Sequence, residues 1–306
     1  MTETQRELVA KIQRLKQERS ALILSHYYQP PEVQDIADFI GDSLELSRRA
    51  ATTPAKVLIF CGVHFMAETA AVLSPDKTVI IPDLEAGCPL AATITPETLK
   101  AKKKQLQGAV VVTYVNTTAA VKAESDIVCT SANGAKVVKS LPPDSTVLFV
   151  PDRNLGHWVA LQNPGRRIVL WDGYCYVHDQ IRPADVLQAK KEHPAAPVLA
   201  HPECRPEVLA LADKVGSTSG ILRFAREGTA REFIIVTEEG LLHQLRKENP
   251  DKEFHLASPR LVCPNMKRIT LDKVLQALQH LEPRVEVPDS IRERAVRAVE
   301  RMLAIS

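Results

Sequence analysis

The feature that most constrains this sequence is its resemblance to itself at a spacing of about 88 residues. Three strand-like runs open similar stretches: ALILSHYYQ (21–29), AVVVTYVNT (109–117) and APVLAHPEC (196–204). They bring His26, Tyr114 and His201 to corresponding places, 88 and then 87 residues apart. Ser43, Ser131 and Thr218 keep the same register, with steps of 88 and 87. The apolar runs VLIF (57–60), VLFV (147–150) and FIIV (233–236) follow at steps of 90 and 86. Cys88, Cys175 and Cys263 come next at steps of 87 and 88, and helix-period segments starting at Ile94, Ile181 and Ile269 repeat those steps. Short β-branched runs alternating with helix-period segments are the pattern of parallel sheets with crossover helices. The expectation is therefore an α/β fold of three similar domains. Each is a small parallel sheet flanked by helices, and the site lies at a central pseudo-threefold axis. The boundaries are 1–107 with an N-terminal helix, 108–195, and 196–306 with C-terminal helices. Ser290 and Glu293 read as a capping box for the last helix.

Only three of the six cysteines share the register. Cys88, Cys175 and Cys263 each fall in a loop after a strand-like run and before a helix. Three thiolates gathered on an axis repel one another and need a cation. A structural zinc site wants four ligands, commonly in CxxC pairs, and no such pair is present. Three cysteines on a four-iron cluster leave one iron open as a Lewis acid, which suits a dehydrating or condensing enzyme better than an electron carrier. Zinc on the same thiols, or three inert core thiols, are the alternatives. Cys61, Cys129 and Cys204 read as core residues.

Polar residues gather on the same side of the predicted sheets. Tyr28, Asn116 and Glu203 lie two residues beyond His26, Tyr114 and His201, on the same face if the strands continue. His201 and Glu203 suit proton transfer, with burial lifting the carboxyl toward neutrality. Ser43, Ser131 and Thr218 precede helix-like segments, where hydroxyl caps and free N–H groups make an anion site. Ser217 could substitute for Thr218. His178, three residues after Cys175, would face the same side as that cysteine.

Several classes are disfavoured. The 39 basic and 37 acidic residues nearly balance, so neither nucleic acid nor an anionic membrane is expected as a partner. The segment Lys102-Lys103-Lys104 reads as a solvated helix face. Residues 1–20 lack the apolar core of a signal peptide, and no run approaches the roughly 20 apolar residues of a membrane span. A cytoplasmic location with reduced thiols is expected. The signatures GxGxxG, P-loop, HExxH and GxSxG are absent. An iron–sulfur sensor would need a partner-binding surface such as a basic reading helix, which the sequence does not show.

The segments SHYYQ (25–29), GDSLELS (41–47), CGVHFMAETA (61–70), PDLEAGC (82–88), TYVNT (113–117), CTSANG (129–134), HPEC (201–204), GSTSG (216–220) and CPNMK (263–267) together resemble the quinolinate synthase family over nearly the whole chain. The resemblance implies a [4Fe-4S] cluster on Cys88, Cys175 and Cys263. It implies condensation of iminoaspartate (iminosuccinate) with dihydroxyacetone phosphate to quinolinate in NAD biosynthesis, with loss of phosphate and two waters. Such an enzyme is a condensing dehydratase of the transferase class, functionally coupled to the enzyme that supplies the imine. By residue match, substrate contacts fall to His26, Ser43, Tyr114, Val115, Asn116, Ser131, His178, His201, Glu203 and Thr218. Glu203 would act as acid/base, with His201, Tyr28 and His26 assisting. Some relatives carry extra cysteines near the third ligand that are proposed to form a redox-sensitive disulfide. Here Pro264, Asn265 and Met266 follow Cys263, so no such switch is expected.

Overall fold

Parallel pairing alone builds the three sheets. Residues 3–305 are described by the computed structural model. The first sheet holds β1 (Ala21–His26), β2 (Phe39–Gly41), β3 (Val57–Cys61) and β4 (Thr78–Ile80). The second holds β5 (Val110–Tyr114), β6 (Ile127–Cys129), β7 (Val147–Val150) and β8 (Ile168–Leu170). The third holds β9 (Val198–Ala200), β10 (Lys214–Val215), β11 (Glu232–Val236) and β12 (Glu253–Leu256). Each sheet has the same spatial order, in which its second strand flanks its first and its third and fourth follow on the other side. β3 and β7 are buried at every residue, as expected for parallel strands covered by helices on both faces. The three-domain α/β architecture anticipated from the repeat is therefore the one observed.

A small device recurs in all three units. Asp38, Asp126 and Asp213 each use a carboxylate oxygen to accept the N–H of a residue in the first strand: Ile23, Val111 and Val198, all at 2.8 Å. Each aspartate also donates its own N–H back to the carbonyl of the same residue. This exchange fixes the loop between the first two strands of each sheet in one conformation.

The strand order decides where a ligand can sit. In each sheet the connections leave the first strand in opposite directions, which opens a crevice at its C-terminal end. His26 and Tyr114 are the last residues of β1 and β5, and His201 follows β9 immediately. The strands stop there. Tyr28, Asn116 and Glu203 therefore lie in the turns beyond and do not continue a strand face, as the alternation argument had assumed.

The terminal helices brace the units. Helix Glu3–Glu18 packs against helix Leu271–His280, and helix Asp289–Leu303 packs against β6 and against helices Ala119–Lys122 and His64–Leu73. Pro288 occupies the N-cap of the last helix, so Ser290 and Glu293 lie within it and form no capping box. Pro288 holds an extended conformation (φ −53°, ψ 138°), and its fixed φ sets the start of the helix there. Among the described residues no helix is long and apolar enough to cross a membrane.

Candidate active site

The three crevices open into one cavity. It is lined by His26, Tyr28, Ser43, Tyr114, Asn116, Ser131, His178, His201, Glu203 and Thr218, together with Cys88, Cys175 and Cys263. The structure thus brings together all the residues singled out from the sequence except Val115. That residue is buried beside the cavity, with its N–H bonded to the Cys129 carbonyl. Cys61, Cys129 and Cys204 are fully buried and do not line it. Tyr27 points away, its hydroxyl 3.4 Å from Glu45, while the Tyr28 ring faces the cavity.

Glu203 is held asymmetrically. Its Oε2 lies 2.9 Å from His178 Nδ1 and 3.5 Å from His201 Nδ1. Its Oε1 is buried with no hydrogen-bond partner, as is Asn116 Oδ1. Two unpaired acceptors in one cavity are costly unless a ligand supplies donors. Burial alone would raise the Glu203 carboxyl. The hydrogen bond from His178, the closeness of the His178 and His201 rings and the hydrogen bond of the Tyr114 phenol outweigh that and hold it below the ordinary carboxylate range. The expectation that burial would lift this carboxyl toward neutrality is therefore corrected, because its histidine neighbours favour the charged form.

His26 and His201 are neutral, and hydrogen-bond partners place the ring protons of the site histidines. Burial pushes His201 down to about 3, and Nδ1 accepts the Glu203 N–H at 3.4 Å. Nε2 therefore carries the proton and donates to Ser131 Oγ at 3.2 Å. Burial, reinforced by His201, also pushes His26 down to about 3, and its Nδ1 accepts the Tyr28 N–H at 3.1 Å. His178 Nδ1 donates to Glu203, and its Nε2 accepts from Thr237 Oγ1 at 3.0 Å. Thr237 in turn accepts from Tyr28 Oη at 2.6 Å. Every donor in this chain of Tyr28, Thr237, His178 and Glu203 points toward the carboxylate.

The three thiols form a donor set that burial keeps protonated. Burial pushes Cys88 up to about 12, with the charges of Glu203 and Cys263 adding to it. Cys175 and Cys263 are raised as well, first by burial, and Cys175 also by Cys88. Deprotonating all three at neutral pH requires a cation among them, so the chemistry of the set fits a bound metal group. Cys175, His178 and Glu203 also place ligand atoms within 4.8 Å of one another. The 2.9 Å contact from His178 to Glu203, however, is a hydrogen-bond distance.

Two carboxylates that sequence reading missed hold the cysteine loops. Asp152 Oδ2 accepts the Cys175 N–H at 3.0 Å and Glu238 Oε1 accepts the Cys263 N–H at 2.9 Å. Each follows its unit's third strand by two residues, so the register that singled out the cysteines could also have found them. Thr237 was missed as well.

The helix caps are not the expected residues: two fall one residue earlier and the third two residues later. Asp42 caps helix Ser43–Thr52 in a capping box with Glu45, and Ser217 caps helix Thr218–Glu227. Asn133 occupies the N-cap of helix Gly134–Ser140, and Ser131 lies in the turn before it. Ser43, Ser131 and Thr218 are therefore not caps, which leaves their hydroxyls available at the cavity wall. No lysine or arginine is among the described lining residues.

Compared with known protein families, the chain matches Quinolinate synthetase A protein over residues 10–304. It is 61% identical over 299 residues to the quinolinate synthase of Desulforudis audaxviator (strain MP104C), covering 98% of each chain. It is 53% identical over 297 residues to that of Thermodesulfovibrio yellowstonii, covering 97% of this chain and 98% of the relative. It is 54% identical over 301 residues to that of Geotalea uraniireducens (strain Rf4), covering 98% of each.

Proposed function

The chain belongs to the quinolinate synthetase A family, and from that membership we propose that it condenses iminoaspartate with dihydroxyacetone phosphate to form quinolinate, phosphate and two waters, on the way to NAD. Cys88, Cys175 and Cys263 would hold a [4Fe-4S] cluster, and when bound the cluster supplies a Lewis-acidic iron for a substrate oxygen. A cytoplasmic location and functional coupling to the enzyme that produces the imine belong to the same reading.

The observation that carries it is the pair of unpaired acceptors, Glu203 Oε1 and Asn116 Oδ1, inside a cavity built from all three units. Both substrates bring N–H or O–H donors that those acceptors can receive. Their carboxylate and phosphate groups meet the hydroxyls of Ser43, Ser131 and Thr218 and the imidazole N–H groups of His26 and His201. The starts of helices Ser43–Thr52 and Thr218–Glu227 add their positive ends, an anion site without arginine. Forming the ring requires removing protons from carbon and nitrogen and giving protons to departing oxygen. Glu203 starts ionised, so it takes the first proton at Oε1. It then gives that proton to a departing oxygen and returns to the carboxylate, held in place throughout by the chain of His178, Thr237 and Tyr28. Burial keeps the Tyr28 and Tyr114 phenols protonated, so they serve as donors. The largely buried side chains that line the cavity also limit the water around the labile imine.

Anaerobic purification followed by iron, zinc and acid-labile sulfide analysis tests the reading, together with a quinolinate assay from the imine and triose phosphate. About four irons and four sulfides per chain with quinolinate formation is the expected result. Zinc without sulfide overturns the cluster assignment. A fully loaded cluster with no quinolinate overturns the reaction.

A further inference from the structure

At the other end of the third sheet, three side chains that the proposed reaction does not use converge. His193 follows helix Pro183–Glu192, Glu232 opens β11 and His255 lies in β12. In the parallel register Glu232 pairs with Glu253 and Ile234 with His255, so Glu232 and His255 project from the same face. His193 Nδ1 is 3.4 Å from Glu232 Oε2, and His255 Nε2 is 3.5 Å from that same oxygen. The two imidazole rings are stacked, 3.5 Å between centroids and 10° from parallel.

These spacings are long for ion-paired hydrogen bonds, which run roughly 2.7–2.9 Å. His255 Nε2 is in fact buried with no hydrogen-bond partner. The two distances to Glu232 do match neighbouring ligand atoms around one tetrahedral ion, toward which the stacked rings turn to aim their lone pairs when it binds. Bonds of about 2.0–2.2 Å to nitrogen and oxygen set neighbouring ligands roughly 3.3–3.5 Å apart. The repeat does not demand the cluster, because the corresponding places in the second unit hold Leu106, Thr146 and Val169.

We propose that His193, Glu232 and His255 bind a divalent transition metal, zinc foremost, with water in the fourth position. Two imidazoles and one carboxylate suit zinc and disfavour magnesium and calcium, which take oxygen ligands. The side chains are 29%, 32% and 22% exposed, so an ion and its water can enter from solvent. Bound there, the metal ties the end of a helix to the start of β11 and to the edge strand β12. It acts as a clamp on the third unit, remote from the cysteine-lined cavity.

The test uses the cluster-loaded protein, whose cysteines are already engaged. Zinc is titrated by equilibrium dialysis into the wild type and into His193→Gln and His255→Gln. The wild type should take up about one zinc per chain, and its thermal midpoint should rise with zinc. Each variant should bind more than about 100-fold more weakly, beyond the roughly 10–100-fold cost of losing a group that only orients a ligand. Their midpoints should not respond, while iron, sulfide and quinolinate formation stay at wild-type levels. No zinc uptake by the wild type, or equally tight uptake by both variants, overturns the proposal.

Discussion

The carboxylate of Asp152 joins a helix cap to a cysteine loop. One oxygen accepts the N–H of Leu155 at 2.8 Å and the other accepts the N–H of Cys175 at 3.0 Å. In Asp152→Asn the amide offers one acceptor and one donor, so only one of the two N–H groups can be satisfied. We expect a loss of about 1–2 kcal/mol of stability, from the cap or from the orphaned amide. Iron should also be lost faster to a chelator. The exposed Asp172→Asn change serves as control and should alter neither the denaturation midpoint nor the rate of iron loss.

Glu203→Gln keeps the size of the side chain and removes its capacity to take a proton. Iron and sulfide should stay at wild-type levels while turnover falls by roughly 10²–10⁴-fold, the range for a general base. Wild-type turnover in this variant would remove Glu203 from the mechanism.

Lys122 is fully buried, its ammonium bonded to the Thr117 carbonyl and lying 5.5 Å from the centroid of the Phe65 ring. Burial pushes it from 10.5 down to about 7. Between those values the unfolded chain holds a proton that the folded chain has released. Stability should therefore rise with pH across that window, by up to about 1.4 kcal/mol per pH unit, and the full cost of charging the amine is borne below pH 7. Lys122→Met should abolish the slope and raise stability most at neutral pH. Urea unfolding at pH 7 and pH 9 measures both.

Gly240 sits where the third unit meets the first. A Cβ there would lie 2.8 Å from the backbone of Tyr28 and 2.9 Å from the Tyr27 carbonyl. Backbone cannot yield cheaply, so Gly240→Ala should cost about 1–3 kcal/mol. It should also displace Tyr28 from Thr237 and lower the rate of quinolinate formation without changing iron content. A variant with wild-type stability would show that this seam has slack.

Much of this site could be read from the chain because register carries position. His26, Tyr114, His201 and the three cysteines are equivalent in sequence, and equivalent strand ends meet when the units close. Register says little about local competition. Asp42 outbids Ser43 for the cap because its carboxylate accepts two backbone N–H groups while the Glu45 carboxylate accepts the backbone N–H of Asp42. Pro288 likewise displaced the capping box expected at Ser290. Nor does register give the sign of an electrostatic balance. Whether Glu203 rises or falls depends on how close two imidazoles approach it, and the nearer one, His178, is brought there by packing between different units. Asp152 and Glu238 were in phase with the repeat, but an acidic residue after an apolar strand has too many ordinary explanations to stand out.

Three near-equivalent backbones around one cavity would by themselves offer a ligand three equivalent poses. The backbone does not choose among them, since each unit presents a strand end, a turn and a cysteine loop at matching places. The choice falls to side chains that differ from unit to unit: His26, Tyr114 and His201 at one level, Tyr28, Asn116 and Glu203 at the next. Orientation is thus encoded as a pattern of donors and acceptors painted on an almost symmetric frame. Exchanging residues between equivalent places should then rotate a ligand's preference while leaving the frame intact.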